Sequence, residues 1–224
     1  MQDNILKFKK PANDHKPNYP PLLNIPPATK YLCFAIIVAH LAVVAAGYLF
    51  PNFDTDLFYY ELGFVPARWS GHIPFEIWTP LSLLTVNLLH GGIFHLGINI
   101  ATLVAFGSGL EKTMGAKMML LVFLVSSLIS TLAHFAIEPA SLNPVIGASG
   151  GISGLFGAML VILKKRGDLG ESQRILPLVF LWIGVAMLSG YMGAPDGSSV
   201  AWIAHIGGFL GGLGFMALLL RKRY

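Results

Sequence analysis

Apolar residues come in long runs separated by short polar segments. Tyr31–Phe50 carries no formal charge over a length sufficient to cross a bilayer. Leu81–Leu89 is apolar but short. It leads through His90-Gly91-Gly92-Ile93-Phe94-His95-Leu96-Gly97-Ile98-Asn99 into a run that ends at Leu110. Met118–Ile137, Ser149–Leu163, Ile175–Tyr191 and Val200–Leu220 follow. The pattern predicts an all-α, polytopic membrane protein with six transmembrane helices and a long loop between the first and second.

The polar segments complete this division. Residues 1–29 hold Lys7, Lys9, Lys10 and Lys16, then Pro17, Pro20, Pro21, Pro26 and Pro27. Such a stretch is too short and proline-rich for a domain and too polar for a signal peptide. A flexible cytoplasmic tail is expected over 1–29, with the membrane domain over 30–224. Pro51–Pro80 mixes Asp54, Asp56, Glu61, Arg68 and Glu76 with many aromatics, among them Tyr59, Trp69 and Trp78. That density favours the headgroup level, so the segment is expected at the outer interface. Short turns are expected around Glu111, Lys112 and Lys117, and at Gly193–Ser199.

Charge sharpens the picture. Charged residues make up 12% of the chain, against roughly 25% in soluble domains. If the N-terminus is inside, every Lys and Arg except Arg68 falls in an inner segment. The positive-inside rule then places both termini in the cytoplasm, with the chain in the cell's inner (plasma) membrane and the lipid bilayer as its medium. The basic residues sit at the ends of apolar runs rather than on one polar face, which argues against nucleic acid as a partner. The single cysteine, Cys33, precludes an intramolecular disulfide and reads as a small core residue. His40, alone in an apolar run, reads as a histidine packed against a neighbour. The role of His90 is left open by the sequence, a cap at the interface being one reading.

The candidate chemistry lies where the fourth run begins, at Gly147-Ala148-Ser149-Gly150-Gly151. The 15 residues Ser149–Leu163 would form a helix about 22 Å long, shorter than a hydrocarbon core of about 30 Å. With Lys164, Lys165 and Arg166 at the inner face, Ser149 lies submerged at a helix N-terminus. Free N–H groups and the helix dipole there favour developing negative charge. A serine needs a base. His205 lies at the matching depth of the sixth run. Gly208 and Gly212 share its helix face, and Gly150, Gly154, Gly157 and Ala158 give the fourth run a small face of its own. His95 and Asn99, four apart, share a face near the outer end of the second run. With the Ser149 amide they are candidate oxyanion donors. Glycine faces can also mean only packing, and His95 and Asn99 can also be interhelical hydrogen-bonding groups.

Four strings together resemble the rhomboid intramembrane serine proteases of the bacterial six-helix type. They are His90-x4-His95-x3-Asn99, Glu111-x3-Gly115, Gly147-x-Ser149-Gly150 and Ala204-His205-x2-Gly208-x3-Gly212. The resemblance covers about Leu62 to Leu218. It implies Ser149 as nucleophile, His205 as base, and an oxyanion hole of His95, Asn99 and the Ser149 amide. No acidic third member, cofactor or metal is expected. The substrates implied are transmembrane or membrane-proximal segments of other proteins, cut near the outer face. Two features depart from the family. Trp78 is followed by Thr79 and Pro80 where a Trp-Arg pair is common, and Ser153 stands where some members carry an aromatic against the histidine.

Other classes fit less well. A zinc protease would want His-Glu-x-x-His, which is absent, and all six aspartates fall in loops or tails rather than spans. A transporter would show inverted repeats and midplane charges. A non-catalytic relative that binds client membrane proteins would usually lack the serine or the histidine.

Overall fold

In a computed structural model, residues 24–167, 175–192 and 201–221 are described. Most of the expected tail, the polar segment around Asp168, Glu171 and Arg174, and the Gly193–Ser199 turn lie outside them. In chain order the helices are α1 (Pro27–Leu49), α2 (Thr55–Leu62), α3 (Pro66–Trp69), α4 (Ser82–Thr85), α5 (Ile93–Met114), α6 (Ala116–Ile137), α7 (Ser149–Arg166), α8 (Ile175–Met192) and α9 (Trp202–Arg221). Among the described residues there is one isolated β-bridge, Phe64 to Val145, and no strand. The chain is all-helical in these parts, as expected. Among the described residues, four helices are long and apolar enough to cross a membrane: α1, α5, α6 and α9.

The faces of these helices are sorted for a lipid exterior. On α1 the buried residues are Thr29, Cys33, Ile36, His40 and Val43, spaced alternately four and three apart, while Tyr31, Phe34, Val38 and Leu41 are exposed. On α6 the inversion is sharper. Ser126, Ser127, Ser130, Thr131 and His134 are buried, whereas Leu120, Leu121, Leu124, Leu128 and Leu132 face outward. A soluble helix would place these sets the other way round. In lipid, apolar side chains gain little by packing inward, and polar groups are held inside the bundle.

Helix starts and stops differ from the hydrophobic runs where polar groups intervene. α1 begins at Pro27, so residues 27–29 belong to the helix and not to the tail. Pro27 supplies a pre-set φ. The N-cap, Pro26, offers no side-chain bond, and the cap comes from α5 instead. The Glu111 carboxylate accepts from the Ala28 N–H at 2.9 Å, the Thr29 N–H at 2.7 Å and the Thr29 hydroxyl at 2.7 Å. The expected Glu111–Lys117 turn contracts to Gly115 alone, at φ +83° between α5 and α6. Glu111→Gln keeps one acceptor oxygen but turns an NH2 group toward buried N–H donors. Its expected cost is about 1–3 kcal/mol, read as a lower unfolding temperature in detergent; an unchanged transition would show that the cap contributes nothing.

Leu81–Leu89 does not extend the second long helix. It forms a 3-10 turn at Thr79–Leu81, the short α4 and a turn, and α5 starts only at Ile93. Gly91 and Gly92 separate the two stretches. α7 runs to Arg166, three residues beyond the apolar run, and ends on Gly167 in the left-handed region at φ +78°.

Helices α6, α7 and α9 pack at near-backbone distance. A Cβ on Gly208 would collide with the Gly150 carbonyl, and one on Gly212 with the Gly154 carbonyl. On its other flank α9 sets Gly207 against Ala133 and Gly211 against Ile129 of α6. Further along, Phe106, Phe156, Trp182 and Phe209 form an aromatic cluster joining α5, α7, α8 and α9, with neighbouring ring centroids 4.8–6.4 Å apart.

Candidate active site

The site forms where α7 begins, because the glycine contacts just described leave one place for the α9 imidazole. Ala204 and Gly208 are buried on either side of His205 along the chain, and Gly208 rests on Gly150, the residue after Ser149. With no side chain between the backbones, Nε2 of His205 lies 2.8 Å from Oγ of Ser149. That is a good hydrogen-bond length. The two groups are 56 residues apart in sequence.

Ser149 is the first residue of α7, and the preceding cap residue, Ala148, has no side chain to cap with. The first amides of the helix are therefore not covered by a capping side chain. Gly147 sets the approach. Its φ is +117°, and a Cβ there would lie 2.7 Å from Nε2 of His95 and 3.7 Å from Oγ of Ser149. Both side chains thus border the space that glycine leaves open. The chain reaches this point along two supports: Val145 exchanges backbone hydrogen bonds with Phe64, and the Gly147 N–H donates to Val86 at 2.8 Å.

Asn99 lies one turn beyond His95 on α5 and is buried, but its amide nitrogen donates to the His95 carbonyl at 2.9 Å. Its Oδ1 is buried without a partner. The amide nitrogen carries a second N–H besides the one given to that carbonyl. Ser153 is turned to its own helix, donating to the Ser149 carbonyl at 2.7 Å, so backbone packing rather than an aromatic at that position places His205. His90 is not an interface cap. It is fully buried, and its ring lies 4.9 Å from that of His95. Among the described residues no group of three or more His, Cys, Asp or Glu has a metal-binding arrangement.

The segment between α1 and α5 is braced over the same end of the bundle. Arg68 is buried, pairs with Glu61 at 2.6 Å, and lies over the Tyr60 ring. Trp78 Nε1 donates to the other Glu61 oxygen at 2.7 Å. Burial alone would raise the Glu61 carboxyl, but the bonds from Trp78 and Arg68 outweigh it and hold its pKa below the usual carboxylate range. Arg68, ten residues before Trp78 in sequence, thus shares the Glu61 carboxylate with it. Sequence reading missed this triad; it named Gly147 within the Gly147-x-Ser149-Gly150 string but not its left-handed backbone or its closeness to His95. The signal for both was a glycine two residues before the serine.

A family model described as "Rhomboid domain" matches residues 74–222. The chain belongs to the rhomboid family. Among rhomboid relatives, the "Putative rhomboid protease YdcA" of Bacillus subtilis is 30% identical over 73% of this chain and 74% of its own length. The "Rhomboid protease GluP" of the same organism is 33% identical over 58% of this chain and 24% of its own. The "Inactive RHOMBOID-like protein 8" of Arabidopsis thaliana is 34% identical over 66% of this chain and 39% of its own. The chain spans less than half the length of the latter two. Rhomboid membership together with the apolar helices makes this a multi-pass membrane protein.

Proposed function

We propose that the protein is an intramembrane serine endopeptidase that cleaves transmembrane or membrane-proximal segments of other membrane proteins. The observation that carries the reading is the 2.8 Å contact between Ser149 and His205 at the start of α7. In the reaction, His205 Nε2 takes the hydroxyl proton as Oγ attacks the scissile carbonyl. The carbonyl oxygen becomes an oxyanion held by the Ser149 amide and His95, with Asn99 as third donor through the second N–H of its amide. His205 then protonates the leaving amine, and water resolves the acyl-enzyme. No acidic group is needed for these steps.

The proposed membrane frame has six spans, both termini in the cytoplasm of the inner membrane, and the site toward the outer face. From Lys164 to Ser149 the helix rises about 22 Å, which leaves the serine roughly 8 Å below the opposite surface of the hydrocarbon core. Ser130 and Ser126 of α6 are buried against Gly150 and Gly154 at that end, and the proposed hydrolysis requires water to reach it. Substrate entry is proposed between α5 and α8, so crosslinking those two helices is expected to stop cleavage of a membrane-embedded substrate.

The test is cleavage of single-span reporter proteins by the purified full chain in lipid vesicles, with the cut mapped by mass spectrometry. A cut within or next to the reporter's span is expected. An intact reporter panel would instead place this chain with relatives that are named inactive. Asn99→Ala is expected to slow turnover by roughly 10²-fold, the cost of one oxyanion donor. An unchanged rate would remove Asn99 from the oxyanion hole.

A further inference from the structure

Between Lys30 and Asp54 the sequence has no Lys, Arg, Asp or Glu, and His40 is the single histidine there. It sits in the middle of α1 and is 5% exposed. Placing an imidazole there is costly unless it makes a bond that matters. Its Nδ1 lies 3.1 Å from the backbone carbonyl of His90, far away in sequence. A carbonyl only accepts, so Nδ1 carries the proton. A second donor meets the same oxygen: the Tyr59 hydroxyl of α2, at 2.9 Å. Both lone pairs of one carbonyl are therefore taken by side chains from two other helices.

That carbonyl belongs to the corner that launches α5. The two residues after it are Gly91 and Gly92, and Gly92, the cap residue of α5, has no side chain to cap with. The corner opens on a groove of about 610 Å³ whose walls include His40, Tyr59, Gly91 and Ile93. Gly91 is exposed. Open space on that side leaves the two side-chain bonds as the lateral brace. What the corner holds is the first turn of α5, which carries His95. The His90 ring, fully buried, lies against the His95 ring, and His95 borders Gly147 beside Ser149.

We propose that His40 and Tyr59 are positioning residues: by clamping the His90 carbonyl from α1 and α2, they fix the start of α5 and so the place of His95 at the oxyanion. Neither touches the reacting atoms. The inference rests on the proteolytic reading, since it concerns that reaction's geometry. It extends the working site to α1, outside the residues matched by the family model.

Three variants separate positioning from packing. An asparagine amide reaches the place of the histidine Nδ1, whereas a glutamine amide reaches that of Nε2. Tyr59→Phe removes only the hydroxyl. Steady-state kinetics in vesicles, with a reporter that the wild type cleaves, give kcat and KM. His40→Asn is expected within about twofold of wild type. His40→Gln and Tyr59→Phe are each expected to lower kcat about tenfold, or about 1.4 kcal/mol of barrier, with KM unchanged. Equal kcat losses in His40→Asn and His40→Gln would overturn the proposal by marking His40 as a packing residue. Wild-type kcat in both His40→Gln and Tyr59→Phe would also overturn it. Failure of the proteolytic reading looks different: the wild type itself, alongside Ser149→Ala, leaves the reporter intact, and the positioning role falls with it.

Discussion

Replacing Ser149 by Ala, or His205 by Ala, is expected to abolish cleavage of a transmembrane reporter, lowering the rate roughly a thousandfold or more. The expectation follows from the site's economy. Among the described residues, one hydroxyl and one imidazole lie 2.8 Å apart at the start of α7, and the proposed mechanism uses no third member to share the load. A dyad whose parts act together loses nearly everything when either is removed, so the double variant should be no slower than the singles. Folding should survive, because neither alanine introduces a clash and the glycine contacts between α7 and α9 remain. The check is cleavage rate together with unfolding temperature in detergent. A single variant that keeps a tenth of the wild-type rate would contradict the dyad.

The second large effect is expected from Gly208→Val. A Cβ there would collide with the Gly150 carbonyl, which is backbone and cannot turn aside as a flexible side chain can. Overpacking typically costs about 1–3 kcal/mol where side chains can shift, and the rigid obstacle here should raise that to about 4 kcal/mol or more. Separating α9 from α7 also draws His205 away from Ser149, so cleavage should fall at least about a hundredfold even in protein that inserts. Gly214→Ala on the same helix is the control, since nothing lies within 4 Å of its Cβ position. It should stay within about 0.5 kcal/mol of wild type. Equal tolerance of both substitutions would mean that the close helix contact is not what holds the site.

Much of this was legible in the sequence because membrane chemistry writes it plainly. Polar residues cannot sit idly in an apolar run, so Ser149, His205, His95 and Asn99 stood out, and basic run-ends gave them a common depth. The structure places Ser149, His205 and His95 around one point. What escaped was non-local. Nothing near Pro27 reveals that the α1 cap comes from Glu111. Nothing near Trp78 reveals that its partner is Glu61 and that Arg68 shares that carboxylate. The apolar pattern alone could not separate Leu81–Leu89 from the following helix, since the break depends on the conformation at Gly91 and Gly92. Spacing put Asn99 on the face of His95, but only the structure shows its amide nitrogen engaged with the His95 carbonyl. His40 was expected to pack against a neighbour. It does, and the neighbour is the carbonyl at that break.

The central claim is that His205 makes Ser149 a nucleophile. Fluorophosphonates react with activated serines, so the direct measurement is to treat the vesicle-embedded protein with one and locate the adduct by mass spectrometry. A single phosphonylated serine at position 149, lost in His205→Ala, is the result expected. An adduct on another serine, or undiminished labelling of Ser149 when the imidazole is gone, would contradict it.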